Sequence, residues 1–245
     1  MKVSILGSGT IVGRTGRNCS GYLLDDRILL DCGPGIWSAL YKRPERRRPV
    51  DTVLVSHFHL DHVADLISLL FARYVMEVGK EQPLAVYGPL GAKGRLGRLL
   101  EPHLEWLREV SYSLHELTPA ETRVGDYTVR ALPTGHTAES ICFRITDGVG
   151  VSLFYSGDAT WNDDIVELAR SCDVAIVEAA LPSHRPAPDH LTPHLAGRLA
   201  AQANVKTLLL THCYPEVFAG DPVAEAAAGF GGEIILARDD LELIV

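Results

Sequence analysis

Long apolar runs are absent from this 245-residue sequence, in which no stretch approaches the roughly 18 apolar residues that a transmembrane helix needs. The first ten residues, MKVSILGSGT, lead directly into a strand-like run and lack the longer apolar segment and cleavage site of a signal peptide. The five cysteines are an odd number with no closely spaced pair, which argues against a disulfide framework. We therefore expect a cytoplasmic protein that does not enter a membrane.

An excess of positive charge is also lacking, since the formal net charge is −8. Nucleic-acid binders usually carry a basic surface, so this balance argues against one. One basic cluster stands in the segment YKRPERRRP and consists of Lys42, Arg43, Arg46, Arg47 and Arg48. It is either a solvated connection between a helix and a strand or a patch that attracts a phosphorylated substrate.

Strand-like and helix-like segments alternate along the chain, and 47% of the residues are hydrophobic, as in an ordinary globular protein. The patterns predict helices over 35–43, from Asp61 to about Val78, in the segment GAKGRLGRLLE, over 163–171 and from Thr192 to about 203. Strands are expected before, between and after these helices, in two batches. Because no linker divides the batches, we predict one domain over 1–245. Two packed sheets with helices outside suit this order, although periodicity alone does not separate them from other α/β arrangements.

The segment SHFHLDH at 56–62 carries the strongest chemical signal. In an extended chain alternate residues face the same way, so His57 and His59 can point to one side. Asp61 and His62 then fall at the start of the following helix, where they can be aimed at a second point nearby. Imidazole and carboxylate are ligands that suit zinc and its neighbours among the divalent metals. Burying these groups without partners would cost several kcal/mol. The segment therefore predicts a metal site.

Three further candidates stand at strand ends: His136 in TGHT, Asp158 in YSGDAT and His212 in LLLTHCY. Each alone is a weak signal, because a strand-end histidine is more often a hydrogen-bonded structural residue, and Asp158 could cap the helix that follows. Their joint occurrence after SHFHLDH favours metal ligation.

This series of motifs resembles that of the metallo-β-lactamase superfamily, and within it the ribonuclease Z branch and its short relatives, including cyclic phosphodiesterases. The segments GSGT, DCGPG, VEAA and DHLTP are similar to that branch too. The resemblance covers nearly the whole chain and implies an α/β fold, an αββα four-layer sandwich with the site at one edge between the sheets. It also implies a homodimer. GSGT itself lacks the lysine and glycine spacing of a phosphate loop, so it is either a simple turn or a loop that helps to shape the site.

The resemblance implies a division of the ligands between two divalent ions, Zn²⁺ in the first instance with Mn²⁺ or Fe²⁺ as alternatives. The first ion would be held by His57, His59 and His136, the second by Asp61, His62 and His212, and both by a bridging Asp158. A water or hydroxide between the ions would be the nucleophile, because the cations lower its pKa. Asp61 would also orient or deprotonate that water.

Glu178 in VEAA and His190 in DHLTP match a further pair of the ribonuclease Z pattern. The resemblance implies a catalytic role, in which His190 stabilises the transition state or protonates the leaving oxygen, and a neighbouring carboxylate would keep this imidazole oriented and cationic. The alternative is that Glu178 is a strand-end charge and His190 a loop residue.

The sequence departs from the ribonuclease Z pattern in one feature that bears on the substrate. The tRNA-gripping arm of ribonuclease Z is a long insertion between the motifs represented here by His136 and Asp158, which are only 22 residues apart. The sequence therefore predicts a phosphodiesterase for a small or flexible phosphodiester rather than for tRNA. Hydrolysis of another ester, such as a sulfate ester or lactone, and a non-catalytic metal-binding role are the alternatives.

Overall fold

A computed structural model describes residues 1–43, 50–76 and 83–245. The strands are β1 (Lys2–Gly7), β2 (Gly21–Leu24), β3 (Ile28–Leu30), β4 (Thr52–Leu54), β5 (Leu84–Gly88), β6 (Tyr112–Glu116), β7 (Thr122–Val124), β8 (Tyr127–Pro133), β9 (Ile141–Thr146), β10 (Ser152–Tyr155), β11 (Val174–Glu178), β12 (Thr207–Thr211), β13 (Glu233–Leu236) and β14 (Glu242–Ile244). The α-helices are α1 (Ile36–Lys42), α2 (Leu60–Val63), α3 (Asp65–Val75), α4 (Ala92–Leu100), α5 (Leu104–Leu107), α6 (Asp163–Leu168), α7 (Pro193–Gln202) and α8 (Pro222–Ala227). Short 3₁₀ helices cover Glu101–His103 and Pro215–Ala219.

The strands form two seven-stranded mixed sheets, ordered β14-β1-β2-β3-β4-β5-β6 and β13-β12-β11-β10-β9-β8-β7. Apolar side chains from both sheets meet in one cluster, in which Ile5 and Leu30 of the first sheet and Phe143 and Ile176 of the second are buried. Separate clusters pack α3 and α4 on the outer face of the first sheet and α6 and α7 on that of the second. The layers are therefore helix, sheet, sheet and helix, which confirms the predicted αββα sandwich.

The predicted helix from Asp61 onward is wrong as a single element, because α2 and α3 are separated at Ala64. The amide of Cys32 donates to the carbonyl of His62, and the amide of Asp65 donates to the carbonyl of Cys32. A neighbouring segment thus takes hydrogen bonds that a continuous helix would use. The predicted end near Val78 lies outside the described residues.

Other elements follow the sequence patterns more closely. The amide of Leu195 donates to the Thr192 side chain, which caps α7 as predicted. Asn162, rather than Asp158, caps α6.

Of the basic cluster, Arg43 pairs with Asp26 and Glu242, whereas Arg46, Arg47 and Arg48 lie outside the described residues. Among the described residues, no helix is long and apolar enough to cross a bilayer.

Two helical glycines give a test of the packing between α7 and α8. A Cβ added at Gly197 in α7 would lie 2.1 Å from the backbone oxygen of Ala226 in α8, whereas a Cβ at Gly97 in α4 would meet nothing within 4 Å. We expect Gly197→Ala to destabilise the protein by about 1–3 kcal/mol through overpacking. Gly97→Ala should instead stabilise it by about 0.5–1 kcal/mol, because alanine favours the helix. Urea unfolding measures both changes, and equal shifts of the same sign would contradict this packing.

Candidate metal centre

The strand ends of both sheets meet where the predicted metal ligands lie. The structure brings all seven of their side chains together in two groups, within each of which the potential ligand atoms lie within 4.8 Å of one another. The first group contains His57, His59, His136 and Asp158, and the second contains Asp61, His62 and His212. Four segments that are distant in sequence therefore reach one site.

Unusual backbone conformations aim three of these residues. Gly135 and Gly157, which immediately precede His136 and Asp158, have φ values of 79° and 55°. At Gly157 a Cβ would also lie 2.8 Å from the Cβ of Ser56, so this turn requires glycine. His212 itself has a φ of 52°, which is uncommon for a residue with a side chain and is typical of functional sites.

The ring nitrogens of the first group converge on one carboxylate oxygen. Nε2 of His136 lies 3.2 Å from Nδ1 of His59 and 3.7 Å from Oδ2 of Asp158. Nε2 of His57 lies 3.8 Å from the same Oδ2. The opposite nitrogen of His136, Nδ1, donates to the backbone oxygen of Asp189 at 2.7 Å, so Nε2 is the ring nitrogen that faces the centre.

The second group faces the other oxygen of Asp158. Nε2 of His62 lies 3.3 Å from Oδ1 of Asp158 and 3.2 Å from Nε2 of His212. Oδ2 of Asp61 lies 3.4 Å from Nε2 of His212. Asp158 therefore stands between the groups with one oxygen toward each.

Several buried polar atoms at the centre have no hydrogen-bond partner among the described residues, which bears on whether these residues fit a metal. The buried atoms without a hydrogen-bond partner include Nε2 of His57, Oδ1 of Asp158 and Nδ1 of His212. Leaving such atoms unpaired is costly, because each has lost its hydration. Imidazole nitrogens and carboxylate oxygens in this number match the ligands that zinc and related divalent ions take. The donor set therefore fits a divalent metal centre.

Asp31 organises this centre, although the sequence analysis gave it no role. Its fully buried carboxylate accepts hydrogen bonds from the hydroxyl groups of Ser56 (2.7 Å) and Tyr155 (2.6 Å) and from Nδ1 of His62 (2.7 Å). Because the Ser56 hydroxyl donates to Asp31, it accepts from Nδ1 of His57, 3.0 Å away. Asp31 thus fixes the tautomer of a histidine in each group. The only sequence signal was the segment DCGPG, which begins at Asp31 after β3.

Burial and mutual charge set the protonation of the centre. Burial, reinforced by the charge of His62, lowers the pKa of His57 to about 2, so that ring is neutral as a metal ligand must be. Burial alone would raise the pKa of Asp158, but the neighbouring His212 and His62 hold it well below its usual value. For Asp61, the hydrogen bond from His212 and the charge of His62 likewise outweigh burial and lower the pKa. Both carboxylates are therefore ionised.

Glu178 and His190 form a pair beside the centre. Glu178 is fully buried, and its two oxygens accept from the amides of Ala159 (2.8 Å) and Ala180 (3.2 Å). Nδ1 of His190 lies 3.1 Å from Oε1 of Glu178, so the opposite ring nitrogen points away from the carboxylate. Burial lowers the pKa of His190, but the hydrogen bond and charge of Glu178 outweigh it and raise the pKa to about 9. Glu178 is thus not a solvated strand-end charge.

The His190 ring also lies beside two of the candidate ligands. Its centroid lies 4.6 Å from that of His136 and 6.2 Å from that of His212. The half-buried ring of Tyr214 stands 6.3 Å from His190 and 6.1 Å from His212, and burial raises the pKa of its hydroxyl, which keeps it protonated. Tyr214 follows the THC motif at a position that no sequence pattern marks as functional.

The loop after GSGT reaches the centre from the other side. The amide of Ile11 donates to Oδ2 of Asp61 at 3.1 Å, and the carbonyl of Ser8 accepts from the amide of His212 at 3.1 Å. Of the two roles left open for GSGT, these contacts favour a loop that helps to shape the site.

Comparisons with known proteins agree with this geometry. A model of the beta-lactamase superfamily domain matches residues 26–213. The chain is 36% identical over 246 residues to an uncharacterized protein of Mycobacterium tuberculosis, covering 96% of this chain and 88% of that one. The crystal structure of the metallo-beta-lactamase fold protein YhfI from Bacillus subtilis superposes with a TM-score of 0.83 and 26% identity, over 99% and 98% of the two chains. Human tRNase Z, short form, gives a TM-score of 0.81 and 25% identity, over 100% and 99%.

The chain belongs to the metallo-β-lactamase superfamily and lies near its ribonuclease Z branch. Together with the His/Asp cluster, this membership defines a metallo-hydrolase with a site suited to divalent metal.

Asp31→Asn tests whether the outer carboxylate organises the metal ligands. The amide cannot accept from all the donors that Asp31 serves, so we expect metal affinity to fall by about 10- to 100-fold. Competition with a chromogenic chelator measures this change. Asp25→Asn is the matched control, because Asp25 also has a positive φ and accepts from a tyrosine hydroxyl, that of Tyr127, away from the centre. An equal loss in both variants, or none in Asp31→Asn, would contradict the role of Asp31.

Proposed function

We propose that the protein is a dinuclear, zinc-dependent phosphodiesterase. The observation that carries this proposal is the pair formed by the buried Glu178 and the half-buried His190, which places an imidazole beside the rings of His136 and His212. A site that only stored metal would have no need of a cationic imidazole beside its ligands. The names of similar proteins, ribonuclease Z and tRNase Z, support phosphodiester chemistry. The predominance of histidine among the donors favours zinc, with Mn²⁺ and Fe²⁺ as alternatives.

Seven residues would hold the two ions in this proposal. His57, His59 and His136 would hold the first and Asp61, His62 and His212 the second, with one oxygen of Asp158 on each. When bound, two divalent cations lower the pKa of a water molecule and stabilise the charge that develops on a phosphoryl group. The protein would supply the remaining steps through Asp61, His190 and Glu178.

Asp61 and His190 would act at opposite ends of the reaction. The Asp61 carboxylate, ionised and fixed by the Ile11 amide, would orient the attacking water or accept its proton. His190 would donate through Nε2, either to the leaving oxygen or to a phosphoryl oxygen. Glu178, held by two backbone amides, would keep the His190 ring in place and cationic.

The proposed substrate is a small or flexible phosphodiester rather than tRNA. Between His136 and Asp158 the chain forms only β9, a tight turn and β10. This gap therefore contains no arm that could grip tRNA. The net charge of −8 also disfavours a large polyanion.

A substrate panel tests the proposed reaction. With zinc or manganese present, we expect turnover of bis(p-nitrophenyl) phosphate and cyclic nucleotides that exceeds turnover of an aryl sulfate and a lactone. In a competition, a small chromogenic diester should be cleaved in preference to pre-tRNA, because the arm is missing. Faster hydrolysis of the sulfate or lactone would assign the site to another ester class. Efficient, site-specific cleavage of pre-tRNA would contradict the proposed substrate size.

His190→Ala separates a working phosphodiesterase from a metal-binding fold. Both metals should remain bound, while turnover falls roughly 10²- to 10⁴-fold through loss of a positioned acid. If His190 protonates the leaving oxygen, the loss is smaller for a p-nitrophenyl ester than for an alkyl ester, since p-nitrophenolate needs little protonation. A loss that is independent of the leaving group would instead indicate donation to a phosphoryl oxygen. Glu178→Gln should give a milder form of the same defect. Full activity of His190→Ala on every diester would show that the pair is structural.

A further inference from the structure

Three residues with large, exposed apolar side chains belong to the two segments that meet at Asp61. The exposed fractions of Ile11, Val12 and Leu60 are 56%, 49% and 62%. Leu60 immediately precedes Asp61, and the amide of Ile11 donates to the Asp61 carboxylate. Two separate segments therefore place these three residues next to one residue of the centre, directly or one position along the chain. None of them belongs to the three core clusters of the described residues.

The loop that carries Ile11 and Val12 is held in a defined shape. At its base, the amide of Gly9 donates to the carbonyl of Asn18 at 2.8 Å. Near its tip, the amide of Arg17 donates to the carbonyl of Arg14 at 3.1 Å. The guanidinium group of Arg14 also lies 3.7 Å above the Phe218 ring. These contacts fix the loop without burying its two apolar side chains, so their exposure is a feature of the folded surface.

We infer that Ile11, Val12 and Leu60 form a contact surface for an uncharged, flat organic group attached to the scissile phosphodiester. This inference rests on the proposed phosphodiesterase activity and deepens it by naming the substrate class. A phosphodiester carries one negative charge, on its phosphoryl oxygens, and a metal centre can bind that group. The two organic groups esterified to the phosphorus need carry no charge. An aryl or heterocyclic ring that packs on exposed apolar side chains beside such a centre would bind more tightly, because both apolar surfaces are removed from water. A small alkyl substituent would cover much less of this surface.

Two diesters with the same leaving group isolate this contact. Bis(p-nitrophenyl) phosphate retains an aryl group after hydrolysis, whereas methyl p-nitrophenyl phosphate retains a methyl group. The measured quantity is the ratio of their kcat/KM values, corrected for the two equivalent leaving groups of the first diester. The double variant Ile11→Ser/Val12→Ser should lower this ratio on the order of tenfold, mainly through KM of the aryl diester. The backbone amide of residue 11 is retained in this variant.

Val149→Ser is the matched control, because Val149 is an apolar residue that is 87% exposed on the turn between β9 and β10. It should keep the wild-type ratio. If the wild type hydrolyses both diesters and the double variant keeps the wild-type ratio, the inferred contact surface is wrong and the proposed function stands. If the wild type hydrolyses neither diester, the proposed function is wrong and the inference falls with it.

Discussion

The buried carboxylate of Asp158 lies between two groups of imidazoles, and most features of the site depend on it. One oxygen faces His57 and His136, and the other faces His62 and His212. A carboxylate in this position is desolvated, and its Oδ1 has no hydrogen-bond partner. Attraction to His212 and His62 outweighs the cost of burial and keeps the carboxylate ionised, while Nε2 of His57 and Nδ1 of His212 likewise have no hydrogen-bond partner. A bound divalent metal would supply partners for these atoms, because imidazole nitrogens and carboxylate oxygens are its ordinary ligands.

The fold brings the side chains around Asp158 together because strands of both sheets end at one edge. The segments after β4, β8, β10 and β12 deliver histidines or an aspartate from both sheets to the same place. Outside these ligands, Asp31 fixes His62 directly and His57 through Ser56, while Glu178 fixes His190 and the amide that follows Asp158. A buried hydrogen-bond network of this kind holds ligands in place, because each ring has only one orientation that satisfies its outer nitrogen.

The seven candidate ligands, which the structure brings together, could be picked out from the sequence because four stand in one short motif and the others follow strand ends. SHFHLDH supplies four of the seven. The αββα order was implied by the resemblance to the superfamily, because the alternating patterns alone do not separate it from other α/β arrangements. Asp31 was missed because a single aspartate after a strand reads as a turn residue, and its partners Ser56 and Tyr155 are distant in sequence. The break between α2 and α3 was missed for a similar reason. It arises from hydrogen bonds to Cys32, which helical periodicity does not record. The contact between the Ile11 amide and Asp61 is also long-range.

The most direct test of the proposed dinuclear centre is anomalous X-ray diffraction at the zinc edge, on crystals of protein purified without chelator and loaded with zinc. Two anomalous peaks should lie about 3.5–4 Å apart, the usual separation in two-metal sites. One should lie among the His57, His59 and His136 side chains and the other among Asp61, His62 and His212, with Asp158 touching both. A single peak, or two peaks that do not share Asp158, would contradict the account.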